Sequence, residues 1–532
     1  MDEQDFESVT STNSIIPADT LLIIHDRRGL GKGRRGKCEN TVPFCWQVWY
    51  DIFCIDPFPQ RGDPVKRFRL LLAVGALLLL AGCFSQSADD LYAQPKAPDD
   101  YLKLDEKINE VLNAGGEYAA PLTGELTQKV QLQDLDGDGV QEAIAFFRVA
   151  SDERQLKICI YRKVGEDYQL AATIESAGTA INVVGYRDLD GVTGKEIVVG
   201  WQQSDRLYSL AAYSIHNDQV LELMRTEYAA YQVCDLDQDE VDEIVVLHTG
   251  TGEGANRAEL YDFREGVMEV VSSAPLSRSV TGLTEGGVRT GLLRGGVPAV
   301  FVDAAYSSAG YAPGEELGAF GMSSYSGDGQ ITDIFAWKDG ALQNITLDPA
   351  TGESDSTIRW YTAVSARDIN RDGILELPDP YALPDPTSSS IAVNFWAIRW
   401  MQYDIDGSAE LVYTTYYNDR DGWYFILPES WEGKITVSRS DVAGGERAVI
   451  FSYWEQDSEA DPQPFLAIYA LSGDNRYMRA NLTGRFRLMP EGAGDDVIYA
   501  ARLIQNGWDC GLDEEGVRAN FALITSELTY SS

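Results

Sequence analysis

Asp134-Leu135-Asp136-Gly137-Asp138-Gly139-Val140-Gln141-Glu142 runs without a break into Ala143-Ile144-Ala145-Phe146-Phe147. Carboxylates at the first, third, fifth and ninth positions of this stretch can converge with the carbonyl of the seventh, and glycine at the sixth eases a tight turn. An oxygen-only, mostly anionic cage of this kind suits Ca²⁺, which accepts flexible geometry at about 2.3–2.6 Å. The short apolar run that follows reads as a buried strand. An EF-hand loop begins similarly, but it needs a glutamate at its twelfth position and a helix on each side. Strand-like residues follow the ninth position here, so the EF-hand is rejected.

The pattern recurs. Asp188-Leu189-Asp190 continues through Glu196 into Ile197-Val198-Val199-Gly200, and Asp235-Leu236-Asp237-Gln238-Asp239 continues through Glu243 into Ile244-Val245-Val246-Leu247. Asp368-Ile369-Asn370-Arg371-Asp372-Gly373-Ile374-Leu375-Glu376 is a fourth copy, and Asp404-Ile405-Asp406-Gly407-Ser408-Ala409-Glu410 a shortened fifth. The expected ligands are Asp134, Asp136, Asp138, Glu142 and the carbonyl of Val140 in the first copy. In the third they are Asp235, Asp237, Asp239, Glu243 and the carbonyl of Val241. The fourth offers Asp368, Asn370, Asp372, Glu376 and the carbonyl of Ile374. Val192 replaces the fifth-position ligand of the second copy, leaving Asp188, Asp190 and Glu196. The fifth copy is two residues short, which puts Glu410 out of place for a normal cage. The bland alternative is a set of polar Asp/Gly turns between strands, but three well-spaced copies, each leading to an apolar run, favour cation cages.

The copies start 54, 47, 133 and 36 residues apart. The longest interval has room for a degenerate unit, and Gly296–Val302 supplies its strand with the acidic loop lost. Second strand candidates at Gln155–Arg162, Leu207–Ile215 and Ala258–Phe263 make each unit an acidic turn, a buried strand and a hairpin. Repetition of such units over residues 119–418 suits the blades of a β-propeller, with a β-sandwich of hairpins as the alternative. After Asp419 the acidic loop stops recurring. Strands at Lys434–Arg439, Arg447–Tyr453, Phe465–Leu471 and Asp496–Ile504 and a terminal helix at Asp513–Thr525 predict a smaller α+β domain over 419–532. The repeats resemble the FG-GAP/VCBS-type propeller repeats of integrin-like and bacterial surface proteins, over about residues 120–415. The resemblance implies a mainly β chain with a Ca²⁺-braced propeller of about six to eight blades, some degenerate, used as a binding or scaffolding surface.

Upstream of the repeats the chain changes character. Lys66-Arg67-Phe68-Arg69 precedes the apolar run Leu70–Leu80, which is too short for a comfortable membrane span but right for the core of a signal peptide. It ends in Leu80-Ala81-Gly82-Cys83, which looks like a bacterial lipobox. The expectation is a lipoprotein signal over 65–82 and lipidation of Cys83. A polar tether and a short amphipathic helix at Tyr101–Leu112 would complete 83–118. Residues 1–64 read as an extension upstream of the true start, with no periodicity or repeat. Their Gly31–Cys38 nearly matches a phosphate-binding loop, but Cys38 stands where a hydroxyl should bind Mg²⁺ and Pro43 where a helix should run.

The chain has 532 residues with 83 Asp+Glu against 43 Lys+Arg, a net charge of −40. Residues 1–82 carry 10 of each sign, so the whole imbalance belongs to the remainder. Such acidity excludes nucleic acid as a general partner, because phosphate neutralisation needs clustered cations. Cys159, Cys234 and Cys510 are widely spaced and read as free thiols. His216 and His248 form no metal-ligating or nucleophile-activating motif, and no G-x-S-x-G elbow is present. Trp396, Trp400, Trp423 and Trp431 fall in an aromatic-rich stretch that could serve as a stacking platform for sugar or peptide, or as packing between domains. Together these readings predict an exported lipoprotein of the bacterial cell envelope, held to the membrane by its N-terminal lipid. Its Ca²⁺ would be structural, and its role non-catalytic binding of a glycan or an envelope protein. A polysaccharide lyase or hydrolase and an envelope-assembly factor are the alternatives.

Overall fold

The acidic stretch and its apolar successor form the centre of a repeated antiparallel unit. The computed structural model describes residues 99–216, 218–248, 256–307, 328–384, 395–442, 444–455, 460–489 and 496–524, all within the unit Lys96–Ser532. The proposed signal peptide, Cys83 and the 1–64 extension lie outside the described residues.

After helix α1 (Asp99–Asn113), the first sheet contains β1 (Gly116–Tyr118), β2 (Val130–Gln133), β3 (Glu142–Val149), β4 (Leu156–Val164) and β5 (Asp167–Ser176). The second runs β6 (Ala180–Arg187), β7 (Glu196–Ser204), β8 (Leu207–His216), β9 (Gln219–Tyr228). The third runs β10 (Ala230–Cys234), β11 (Glu243–Leu247), β12 (Arg257–Arg264), β13 (Val267–Pro275). The fourth runs β14 (Leu283–Leu293), β15 (Val297–Ser307), β16 (Asp328–Lys338), β17 (Ala341–Asn344). The fifth begins with β18 (Leu377–Ala382), β19 (Trp396–Tyr403), β20 (Ala409–Asn418) and β21 (Trp423–Leu427). The sixth holds β22 (Ile435–Val442), β23 (Glu446–Tyr453), β24 (Gln463–Ser472), β25 (Phe486–Arg487) and β26 (Val497–Leu503). Finally, β27 (Phe521–Leu523) returns to the fifth sheet beside β21. The chain is thus mainly β, and strands that neighbour in sequence mostly neighbour in space.

Packing explains why the strands after the acidic loops are apolar throughout. β3, β7 and β11 are the second strands of their sheets, paired on both edges and buried on both faces. A strand buried on both faces carries a continuous apolar run rather than an alternation. Ile144 and Phe146 of β3 share a core with Ile197 and Val199 of β7, while Val198 on the other face of β7 packs with Ile244 and Val246 of β11. Val245 of β11 meets Val300 and Val302 of β15, Phe301 meets Leu377 of β18, and Phe425 of β21 meets Phe451 of β23. Each sheet therefore packs face to face on the next. Gly296–Val302, expected to be the surviving strand of a degenerate unit, supplies most of β15's buried length.

Helices cover both ends of this series. Leu104 and Ile108 of α1, with Val111 and Leu112 beside them, pack on Ala143, Ala145, Phe147 and Tyr161, the face of the first sheet turned away from the second. Ala480 of α2 (Arg476–Ala480) packs on Leu471 and Ala500 of the sixth sheet. In a closed ring the sixth sheet would lie against the face that α1 covers.

Two expectations about the C-terminal part change. The boundary at 418/419 falls inside the fifth sheet, where Asn418 pairs with Trp423 across β20 and β21. The terminal helix is only α3 (Glu514–Ala519), capped by the Asp513 carboxylate accepting from the Gly516 amide at 2.8 Å. The chain then becomes strand β27, because Phe521 packs into the core between the fifth and sixth sheets.

Candidate metal centres

Each acidic loop is wound around its first aspartate. Asp134 accepts from the amides of Gly137 (2.8 Å) and Gly139 (2.9 Å), Asp188 from Gly191 (2.9 Å), Asp235 from Asp239 (3.1 Å) and Glu240 (3.0 Å), and Asp368 from Arg371 (2.6 Å) and Gly373 (2.9 Å). In the first, third and fourth loops the winding uses left-handed backbone at the fourth and sixth positions, and in the second only at the fourth, Gly191. Glycine supplies both in the first loop, whereas Gln238 (φ 64°), Glu240 (φ 74°) and Arg371 (φ 65°) adopt it at a steric cost.

The ninth-position glutamate closes each loop from the start of the next strand. One oxygen of Glu142, Glu196, Glu243 and Glu376 accepts from the second-position amide, Leu135 (2.9 Å), Leu189 (2.8 Å), Leu236 (2.7 Å) and Ile369 (2.8 Å) respectively. All four carboxylates are buried. Four groups bring their ligand atoms within 4.8 Å of one another: Asp134, Asp136 and Glu142; Asp188, Asp190 and Glu196; Asp235, Asp237, Asp239 and Glu243; Asp368, Asp372 and Glu376. These clusters could hold a metal ion. Asp138 stands outside the first cluster and instead accepts from the Val140 amide at 2.7 Å. Asp239 and Asp372 make the same bond to Val241 (3.0 Å) and Ile374 (2.9 Å), while Asn370 donates to Asp372 (2.8 Å).

Without a cation, burial disfavours ionisation of the ninth-position glutamates. Burial pushes the Glu243 carboxyl up to about 8 and Glu376 up to about 7, with neighbouring aspartates adding to the shift against the backbone hydrogen bond. Burial raises Glu142, Glu196 and Asp237 as well. Oε1 of Glu142 and Oδ1 of Asp237 are buried with no hydrogen-bond partner. A buried carboxylate oxygen of that kind is costly unless a cation completes it. The donor set is oxygen throughout, which fits a hard divalent ion.

The loops also touch one another. The Lys195 amide of the second loop donates to the Leu135 carbonyl of the first (3.1 Å), and the Asp242 amide of the third donates to the Asp188 carbonyl of the second (2.8 Å). They form a row along one side of the first three sheets. The fifth acidic stretch makes no such cluster. It is the tight turn between β19 and β20, and Glu410 pairs with Arg294 at 2.6 Å.

Of the two readings of the tryptophans, packing rather than a stacking platform describes three of the four. Trp400, Trp423 and Trp431 are at most 1% exposed. Trp400 donates its indole N–H to Thr415 (2.9 Å) and Trp431 to the Cys510 carbonyl (2.8 Å), so both are core residues with satisfied polar tips. Only Trp396 is partly exposed, stacked on Tyr361 at 5.3 Å. The residues that line open space come from elsewhere. A cleft of about 840 Å³ is walled by the edge strands β6, β10 and β14, with Asn182, Tyr186, Tyr228, Tyr231, Gln232 and Thr284 among its lining. Sequence reasoning missed it because its walls come from separate repeats and are brought together by sheet packing.

His216 stands at the second loop, its Nε2 lying 2.9 Å from the Ser214 hydroxyl and 3.6 Å from Asp190. Serine and aspartate share one ring nitrogen, whereas a catalytic triad places them on opposite nitrogens. Cys159, Cys234 and Cys510 are free thiols, as expected.

No family model matches the chain, and no curated protein matches it. Among solved structures it is similar to the exotype rhamnogalacturonan lyase YesX (14% identity, TM-score 0.23), covering 61% of this chain and 59% of that one. Rhamnogalacturonan lyase YesW (12%, 0.24) and Bacillus licheniformis rhamnogalacturonan lyase PL11 (13%, 0.25) are each covered over 58% of their length by 61% of this chain. The chain thus spans less than two thirds of these proteins, and TM-scores this low carry no argument about its fold or activity.

Proposed function

We propose that this chain is an exported lipoprotein of the bacterial cell envelope, held by lipid on Cys83, whose Ca²⁺-braced blades present a non-catalytic binding surface. The observation that carries the reading is the fourfold recurrence of one loop geometry, with buried carboxylates converging at each copy. In this reading the six sheets are blades of a propeller-like array. Cations clip successive blades through the row of loops, and binding only to the folded loop adds its free energy to stability. The cleft along β6, β10 and β14 receives the ligand, a glycan or an envelope protein.

A pull-down from envelope extract, paired with a glycan array and run with Ca²⁺ or EGTA, tests the binding role. Capture that requires Ca²⁺ and weakens in Tyr231→Ala supports it. Steady turnover of a polysaccharide by the purified chain would replace it with the enzyme reading. Membrane partition that persists unchanged in Cys83→Ser would overturn the lipid anchor.

A further inference from the structure

The four loops differ in a feature that strand register supplies. In each of the four sheets the neighbouring strand places one residue directly opposite the ninth-position glutamate. The pairs Ala143–Tyr161, Ile197–Tyr213, Ile244–Tyr261 and Leu377–Met401 fix the register. One step further, Arg162 faces Glu142, Ser214 faces Glu196, Asp262 faces Glu243 and Gln402 faces Glu376. Directly opposed residues in an antiparallel pair point to the same face, so each projects towards its cluster.

Their chemistry spans the full range of charge. Arg162 lies 3.5 Å from Asp136 and is held on its other side by Asp218 at 2.7 Å. Gln402 donates to Asp372 (2.8 Å) and to Glu376 (2.7 Å), giving the fourth cluster two neutral hydrogen bonds. Ser214 donates to Glu196 at 3.2 Å. Asp262 brings a further carboxylate to the third cluster, which already holds four. Its ion-pair partner Arg264 is mostly exposed, so solvent screens that pair.

We propose that this cross-strand residue grades the four loops by cation affinity. Resting on the calcium reading above, the third loop is the tight site, with Asp262 adding charge around the buried, unpartnered oxygen of Asp237. The first loop is a guarded site, where the Arg162 guanidinium competes with the divalent ion for Asp136 although the buried oxygen of Glu142 still lacks a partner. Repulsion between a guanidinium and a divalent ion a few ångströms apart is worth at least tenfold in binding even at high effective dielectric. The fourth loop is weakened more mildly, because its amide donor must turn away before an ion enters.

Calorimetric titration of CaCl₂ into the full-length chain, stripped with EGTA and dialysed in mild detergent, tests this. The wild type should show one site at least tenfold tighter than the rest. Asp262→Asn should weaken that site by roughly tenfold, and Arg162→Gln should bring a second site into the tight class. Melting temperatures in EGTA establish that each variant is folded, and Asp262→Ser and Arg162→Ser provide substitutes for any that is not. Ca²⁺ binding that leaves the affinities unchanged in both variants, or four equal sites in the wild type, overturns the grading and leaves the calcium reading intact. Absence of binding in the wild type overturns the calcium reading itself.

Discussion

Replacing Glu243 with glutamine should reverse its effect on stability according to whether a cation is present. Glu243 is 2% exposed and accepts from the Leu236 amide at 2.7 Å, a bond that an amide oxygen reproduces. In the metal-free protein its carboxyl is raised from 4.5 to about 8. A raised carboxyl favours folding fully below the unfolded value, and that contribution is lost as pH rises through the folded one. The metal-free wild type should therefore lose stability between about pH 4.5 and pH 8, by about 2–4 kcal/mol once solvent relaxation is allowed for. Glu243→Gln has no charge to bury, so in EGTA at pH 8.5 it should melt a few °C above the wild type. In excess Ca²⁺ the order inverts, because the variant has lost an anionic ligand of the third cluster. Thermal melts by circular dichroism at pH 5.5, 7 and 8.5, each with EGTA and with Ca²⁺, give the comparison. A variant less stable than the wild type in EGTA at pH 8.5 would refute the reasoning, since it would show that the carboxylate is not under strain.

Arg359, 2% exposed, bonds Asp303 (3.1 Å) and Thr332 (2.7 Å) beneath the fourth sheet. Arg359→Met should cost about 1.5–3 kcal/mol equally in EGTA and in Ca²⁺, measured by urea unfolding, because it removes a charged hydrogen bond from Asp303 while Arg289 stays paired with that carboxylate. Ile108→Ser uncovers the outer face of the first sheet, and its loss of about 2–4 kcal/mol should appear as faster proteolysis within residues 99–176 before the other sheets are cut. Burial raises the Cys159 thiol and pushes Cys234 up to about 12. Iodoacetamide at pH 8 should therefore leave both unlabelled in the folded protein and modify both in urea, as read by mass spectrometry.

The local features of this fold were legible where one stretch of chain suffices to specify them. The acidic loops announce themselves by spacing, and Val297–Val302 is a strand by its apolar run even without its loop. α1 follows from the periodicity of Leu104, Ile108, Val111 and Leu112. What failed to show depends on partners far along the chain. Asp513–Thr525 looks helical in isolation, but the fifth sheet offers β21 an open edge and takes Phe521–Leu523 as strand. Trp400, Trp423 and Trp431 have composition compatible with a platform, and only the packing of the fifth sheet against its surroundings buries them. The residues opposite the loop glutamates lie 18 to 26 positions beyond them at intervals set by hairpin length, so no fixed motif marks them. The cleft is harder still, because it exists only between the edge strands of different sheets.

In the proposed function the acidic loops hold Ca²⁺ and the ion braces the sheets. The melting temperature of the full-length chain, stripped with EGTA and then titrated with Ca²⁺ against an equal series of Mg²⁺, tests it most directly. Each filled site should add about 2.7 kcal/mol at an ion concentration one hundred times its dissociation constant. The melting temperature should rise by several °C and saturate with Ca²⁺, with Mg²⁺ lagging because it demands octahedral geometry. A melting temperature that stays fixed from EGTA to millimolar Ca²⁺ would contradict it.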